Sequence, residues 1–143
     1  MWGYFGLGIG SSCFTFPTFK KSTGFMNYLL VFIGGGIGSM FRFGIGKFFS
    51  RWNFNFPLAT LISNISACII FTLILYFWTK ELKDDWIYPF AIIGLCGGFS
   101  TFSTFSFENF QLYNQANYGL LILNVIISVL PGMFCFYWVS DKL

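Results

Sequence analysis

The chain has no histidine and few charges: eight Lys and Arg and five Asp and Glu make up 9% of its 143 residues. A soluble domain carries roughly a quarter charged residues, so an ordinary water-facing surface is not available to it. The four cysteines, Cys13, Cys68, Cys96 and Cys135, show no short paired spacing, and three of them sit in apolar blocks as small hydrophobes. Without histidine or clustered cysteine, zinc, haem and iron–sulfur sites lack their usual ligands, and no Ser/His or Cys/His catalytic pair can be drawn. An enzyme is therefore not expected, and neither is a nucleic-acid partner.

What the chain has in quantity is apolar length. Hydrophobic residues make up 56% of it, with a mean hydropathy of +0.71. They fall into four blocks, over about 27–49, 57–78, 86–107 and 118–139, each near the ~20 residues that cross a bilayer as a helix. The expected fold is an all-α membrane subunit of four spans in one domain, residues 26–143. Residues 1–25 precede it. Their basic pair, Lys20-Lys21, follows the apolar residues instead of leading them, the reverse of a secretory signal. Gly, Ser, Thr and Pro17 interrupt the stretch, so it reads as an interfacial or disordered extension.

The first span carries Gly34-Gly35-Gly36-Ile37-Gly38, and Gly34 and Gly38, four apart, allow a neighbouring helix to come close. Arg42 lies in the same span, where a guanidinium at mid-bilayer costs on the order of 3 kcal/mol, so it is expected to face water, a partner or an anion. The second span opens on Pro57, which suits a first helical turn. Its Asn64 has two readings, interhelical hydrogen-bond glue or a pore-lining donor, and chemistry alone favours glue. A charged connection, Thr79 to Asp85, leads to the third span. The fourth carries Asn124 and Ser128 at i and i+4, on one face, and Pro131 as a candidate kink.

Lys and Arg number five with the termini and central loop (Lys20, Lys21, Lys80, Lys83, Lys142) and two in the other loops (Lys47, Arg51). That favours cytoplasmic termini. Without the extension's pair the count is three to two, so orientation is weakly encoded.

Polar chemistry concentrates in Gly94-Leu-Cys-Gly-Gly-Phe-Ser-Thr-Phe-Ser-Thr-Phe-Ser106. Low helix propensity there predicts a break near Gly97. Irregular backbone at that depth is tolerated only against protein, water or an ion. Phe99, Phe102 and Phe105 recur every three residues, as do Ser100, Ser103 and Ser106. With 22 Phe in the chain such spacing is weak by itself, but the Ser-Thr-Phe tandem directly after Gly-Gly is not a chance pattern. Aromatic ring edges are electropositive and hydroxyls donate hydrogen bonds, so the stretch suits a small anion. A cation-coupled exporter needs an intramembrane carboxylate. The only candidate is Glu108, at the end of the third span, whereas the first span holds Arg42.

Three motifs, Gly34 to Arg42, Pro57 to Asn64 and Gly94 to Ser106, make residues 30–138 resemble the Fluc/CrcB fluoride channels. The resemblance implies an antiparallel, dual-topology homodimer in the cell inner membrane, or a pair of oppositely oriented paralogues. Two fluoride pathways, each built from both subunits, would export fluoride passively and relieve its toxicity. By motif, Asn64 matches the pore asparagine, and Phe102 and Phe105 the two phenylalanines whose edges face fluoride. Ser103, Thr104, Ser106 and Ser128 supply hydroxyls, and Arg42 makes the vestibule electropositive. The resemblance also implies a structural sodium ion held by main-chain carbonyls of Gly97 and Ser100, the latter usually threonine. Ala59, Ala67 and Pro131 depart from common glycines without removing a fluoride ligand. A small multidrug-type exporter and a non-transporting membrane subunit are the competing readings.

Overall fold

The computed structural model describes residues 24–52, 55–80 and 86–140; the expectations for residues 1–23 and for the charged loop 81–85 lie outside them. The helices are α1 (Gly24–Phe49), α2 (Leu58–Lys80), a π-helical segment (Tyr88–Cys96), α3 (Gly97–Phe99), α4 (Phe102–Asn114) and α5 (Tyr118–Ser140). Four stretches are long and apolar enough to cross a membrane: Gly24–Phe49, Leu58–Phe77, Tyr88–Asn114 and Tyr118–Ser140. At 1.5 Å per residue α1 is about 39 Å long, more than the ~30 Å hydrocarbon layer. This is a multi-pass membrane protein.

Its polarity is inverted relative to a soluble fold. Large apolar side chains such as Phe32, Phe43, Ile122, Phe134 and Tyr137 point outward, while Thr60, Ser63, Thr72, Thr101 and Asn124 are buried. Lipid is as apolar as leucine, so apolar burial does not drive these helices together; close packing and internal hydrogen bonds do. Ser63 and Thr72 donate to the carbonyls of Ala59 and Cys68 four residues back, 2.8 and 3.0 Å away, which satisfies both hydroxyls without water.

The tightest packing joins α1 to the third span. A Cβ at Gly34 would collide with the Phe90 carbonyl, one at Gly38 with the Leu95 carbonyl, and one at Gly98 with the Gly35 carbonyl. Backbone meets backbone here, so no side chain fits at these positions. A Cβ at Gly97, by contrast, would have no neighbour within 4 Å.

The third span runs to Asn114, seven residues beyond its expected end, although Glu108 and Asn109 are polar. Both have partners on other helices: Thr60 donates to Glu108 Oε1 at 2.6 Å, and Asn124 donates to Asn109 Oδ1 at 3.1 Å. The chain then reverses through Ala116, in the left-handed region at φ 57°. Asn117 N–H bonds the Leu112 carbonyl and Ala116 N–H that of Tyr113, the paired closure of a Schellman motif. α5 continues through Pro131 as one helix, with Gly132 one residue on packed near Cys68 of α2.

Candidate functional site

Gly97, where low propensity placed the break, is helical at φ −64°, ψ −36°. The helical path leaves off three residues later: Ser100 is extended at φ −78°, ψ 155° and Thr101 at φ −148°, ψ 105°. Gly94 and Gly98 serve contact with α1; the hydroxyl residues interrupt the helix, because they offer the backbone competing partners.

The hydrogen bonds at this point decide what is left free. Ser100 N–H still bonds the Cys96 carbonyl at 3.0 Å, in helical register. One residue on, Thr101 N–H would bond Gly97, but it donates to Asn64 Oδ1 of α2 at 2.8 Å. Thr104 N–H would bond Ser100, but it donates to Thr101 Oγ1 at 3.3 Å, an N-cap for α4. Both diversions release an acceptor. Among the described residues the carbonyls of Gly97 and Ser100 accept no hydrogen bond, and the two residues line one cavity of about 150 Å³ with Cys68 and Cys96. Unpaired main-chain oxygens are the ligand type that a hard cation takes, although the rest of that cavity, Ala67, Phe71, Ile92 and Phe136, is apolar.

The same bond fixes Asn64. A backbone N–H can only donate, so the side-chain oxygen must face Thr101 and the Nδ2 amide must face away. Among the described residues no acceptor takes the Asn64 amide protons. Phe102 is 80% exposed, and its ring lies 6.1 Å from that of the half-buried Phe105. Ser103 and Thr104 hydroxyls lie 3.3 and 2.9 Å from Thr101 Oγ1. Asn64, the Phe pair, Ser103 and Thr104 are thus tied to one feature, the Ser100–Thr101 interruption.

The structure joins Ser128 to the same region by a different route. Its hydroxyl donates to Asn124 Oδ1 at 3.4 Å, and Asn124 passes the connection to Asn109. Ser106 is exposed, and Arg42 is half-buried on α1. Neither makes a hydrogen bond or ion pair to another site residue among the described residues.

Three residues of this region, Thr101, Thr60 and Asn109, carried no individual role in the sequence reading, and Glu108 entered it only as the carboxylate a cation-coupled exporter would need. Thr101 sits inside the motif, and its signal was a hydroxyl directly before a helix start. Thr60 and Glu108 form a pair bridging α2 and α4, with Glu108 Oε2 buried and without a partner. Asn109 is half-buried and gave no periodic signal.

The family model described as "CrcB-like protein, Camphor Resistance (CrcB)" matches residues 29–139. A "Fluoride-specific ion channel FluC" from Azobacteroides pseudotrichonymphae is 43% identical over 108 residues, covering 72% of this chain and 84% of the relative. A protein of the same description from Pyrococcus abyssi is 40% identical over 104 residues, 71% and 83% of the two chains. One from Rhodopseudomonas palustris is 39% identical over 114 residues, 76% and 92%. With a match of that extent and relatives covered over more than four fifths of their length, the chain belongs to the CrcB-like family.

Proposed function

We propose that the chain is a subunit of a fluoride-selective channel that lets cytoplasmic fluoride leave passively down its electrochemical gradient. The observation that carries this is the Asn64 amide: its oxygen is held by Thr101 N–H, which leaves two donor protons beside the interrupted third span. The relatives' description as fluoride-specific channels supports the reading.

Fluoride is small and strongly hydrated, and moving such an ion into an apolar medium costs tens of kcal/mol, on the order of a Born penalty. A path must replace that water piecewise. Asn64 Nδ2 and the hydroxyls of Ser103 and Thr104 donate hydrogen bonds, with Ser106 and Ser128 further along the path. Phe102 and Phe105 offer the positive edges of their rings, which attract the anion without holding it as a fixed cation would. Arg42 raises the anion concentration at the vestibule.

The functional unit is an antiparallel pair in a bilayer, two copies of this chain or one with an oppositely oriented paralogue, seated in a cell inner membrane. Residues 26–143 form the channel and residues 1–25 an extension. The Gly97 and Ser100 carbonyls would hold a structural sodium ion, whose positive charge would make the interior more favourable to an anion.

Purified protein in liposomes tests this. A fluoride electrode should record efflux of fluoride, and a chloride electrode none. Equal chloride and fluoride rates refute selectivity, and absence of fluoride efflux refutes the function.

A further inference from the structure

Three side chains connect α5 to the first turn of α4. Ser128 Oγ donates to Asn124 Oδ1 at 3.4 Å, Asn124 Nδ2 to Asn109 Oδ1 at 3.1 Å, and Asn109 Nδ2 to the Phe105 main-chain carbonyl at 2.9 Å. The direction of this line is forced. A main-chain carbonyl can only accept, so Asn109 must turn its amide protons to Phe105 and its oxygen to Asn124. Asn124 must then turn its protons to Asn109 and its oxygen to Ser128. One carbonyl thereby orients two amides and a hydroxyl.

Asn124 is 1% exposed, among the most buried side chains described. An amide buried that deeply carries a cost unless it is bonded, and each of its ends is. The α4 helix has few other ties: it packs on α5 and less extensively on α2. Phe105 is also held from its amino side, where its N–H bonds the Thr101 carbonyl at 3.4 Å. Its backbone is therefore held on both sides, by the interruption and, through Asn109, by α5.

We propose that Asn109 and Asn124 are positioning residues that set the Phe105 ring against the anion path. The inference rests on the fluoride-channel reading, with Phe105 as the residue that meets fluoride. Asn109 and Asn124 touch no fluoride; they hold the rotation of α4 about its own axis relative to α5. Since the two amides act in series, loss of either opens the whole line.

The test uses full-length protein with Asn109→Leu, Asn124→Leu and the double variant, measured by fluoride efflux from liposomes. A 4-fluorophenylalanine at position 105 gives a readout independent of transport by 19F NMR in micelles. Each single variant should assemble as the unaltered protein does and lower efflux about fivefold, the scale of one lost hydrogen bond. The double variant should lose no more than the worse single one, because the bonds form one chain. The position-105 resonance should shift or broaden alike in all three, while a 4-fluorophenylalanine at Phe71, whose ring meets that of Phe136 edge to face at 5.3 Å, stays put. If Asn124→Leu does not assemble, Asn109→Leu alone carries the test, since it breaks the same α4–α5 bond from its half-buried end. An unmoved position-105 resonance, or losses that add in the double variant, overturns the proposal. Failure of the unaltered protein to pass fluoride overturns the channel reading instead, and the resonance still reports on the positioning.

Discussion

Thr101→Val isolates the hydroxyl that frees Ser100. Thr101 is 6% exposed and extended, a conformation that β-branched valine adopts readily, and the two side chains have nearly the same volume. The substitution therefore leaves no cavity and removes only Oγ1. Two effects follow. The N-cap of α4 is lost, at about 1 kcal/mol. The Thr104 N–H, left without its acceptor, turns to the Ser100 carbonyl in helical register and competes with a bound cation for that oxygen. The Ser103 and Thr104 hydroxyls, 3.3 and 2.9 Å from Oγ1, lose that partner as well. A competing hydrogen bond worth about 1 kcal/mol weakens sodium binding five- to tenfold per subunit. The assay is the melting temperature of the detergent-solubilised protein as sodium replaces a large organic cation at constant ionic strength. The midpoint of stabilisation should move to five- to tenfold higher sodium in Thr101→Val and stay unchanged in Thr101→Ser. A Val variant with lower stability but the same sodium midpoint would show that the hydroxyl only caps a helix.

Other substitutions probe other links of the chain of causes. Gly38→Leu places side-chain atoms in the Leu95 carbonyl and within 2.8 Å of Phe99 N; since backbone cannot yield, α1 separates from the third span, and gel filtration should show no monodisperse peak. Asn64→Asp keeps an acceptor for Thr101 N–H and replaces the amide donors by negative charge, so the protein should assemble while its fluoride efflux falls at least tenfold, about 1.4 kcal/mol. Phe105→Ile keeps apolar bulk and removes the ring edge, so efflux should fall with assembly intact. Ala116→Gly relieves the left-handed strain at φ 57°, and unfolding in denaturant should report a gain of about 1 kcal/mol.

The four spans were legible because apolar length survives any arrangement of the helices. The close approach of α1 was legible too, since Gly34 and Gly38 share a face. The position of the interruption was not. Propensity treats glycine as the weak point, but Gly94 and Gly98 face α1 backbone and keep helical dihedrals through contact. What ends the helix is competition from Asn64 and Thr101, and the Asn64 contact crosses 37 residues of sequence. The extent of the third span was hidden for the same reason. Glu108 and Asn109 look like a span end until Thr60 and Asn124, on other helices, supply their partners.

The interruption resolves a conflict that a continuous helix cannot. An unbroken span would pair Gly97 with Thr101 and Ser100 with Thr104, leaving no main-chain oxygen for a cation, and would leave the Asn64 oxygen without its donor. Moving two N–H groups onto Asn64 and Thr101 changes three things together. Two carbonyls are released at the cavity by Gly97 and Ser100. A helix N-terminus, with its partial positive charge, is created at Phe102 inside the membrane span. The Asn64 amide is locked with its donors outward. In hydrocarbon such a rearrangement is tolerated because the diverted donors are satisfied by protein. Oxygens suited to a cation and donors suited to an anion then meet at one interruption of the third span, and opposite charges placed there would lower each other's cost of burial. On the proposed reading the sodium and fluoride sites would be two products of the same pair of hydrogen bonds, so perturbing Thr101 Oγ1 should affect both.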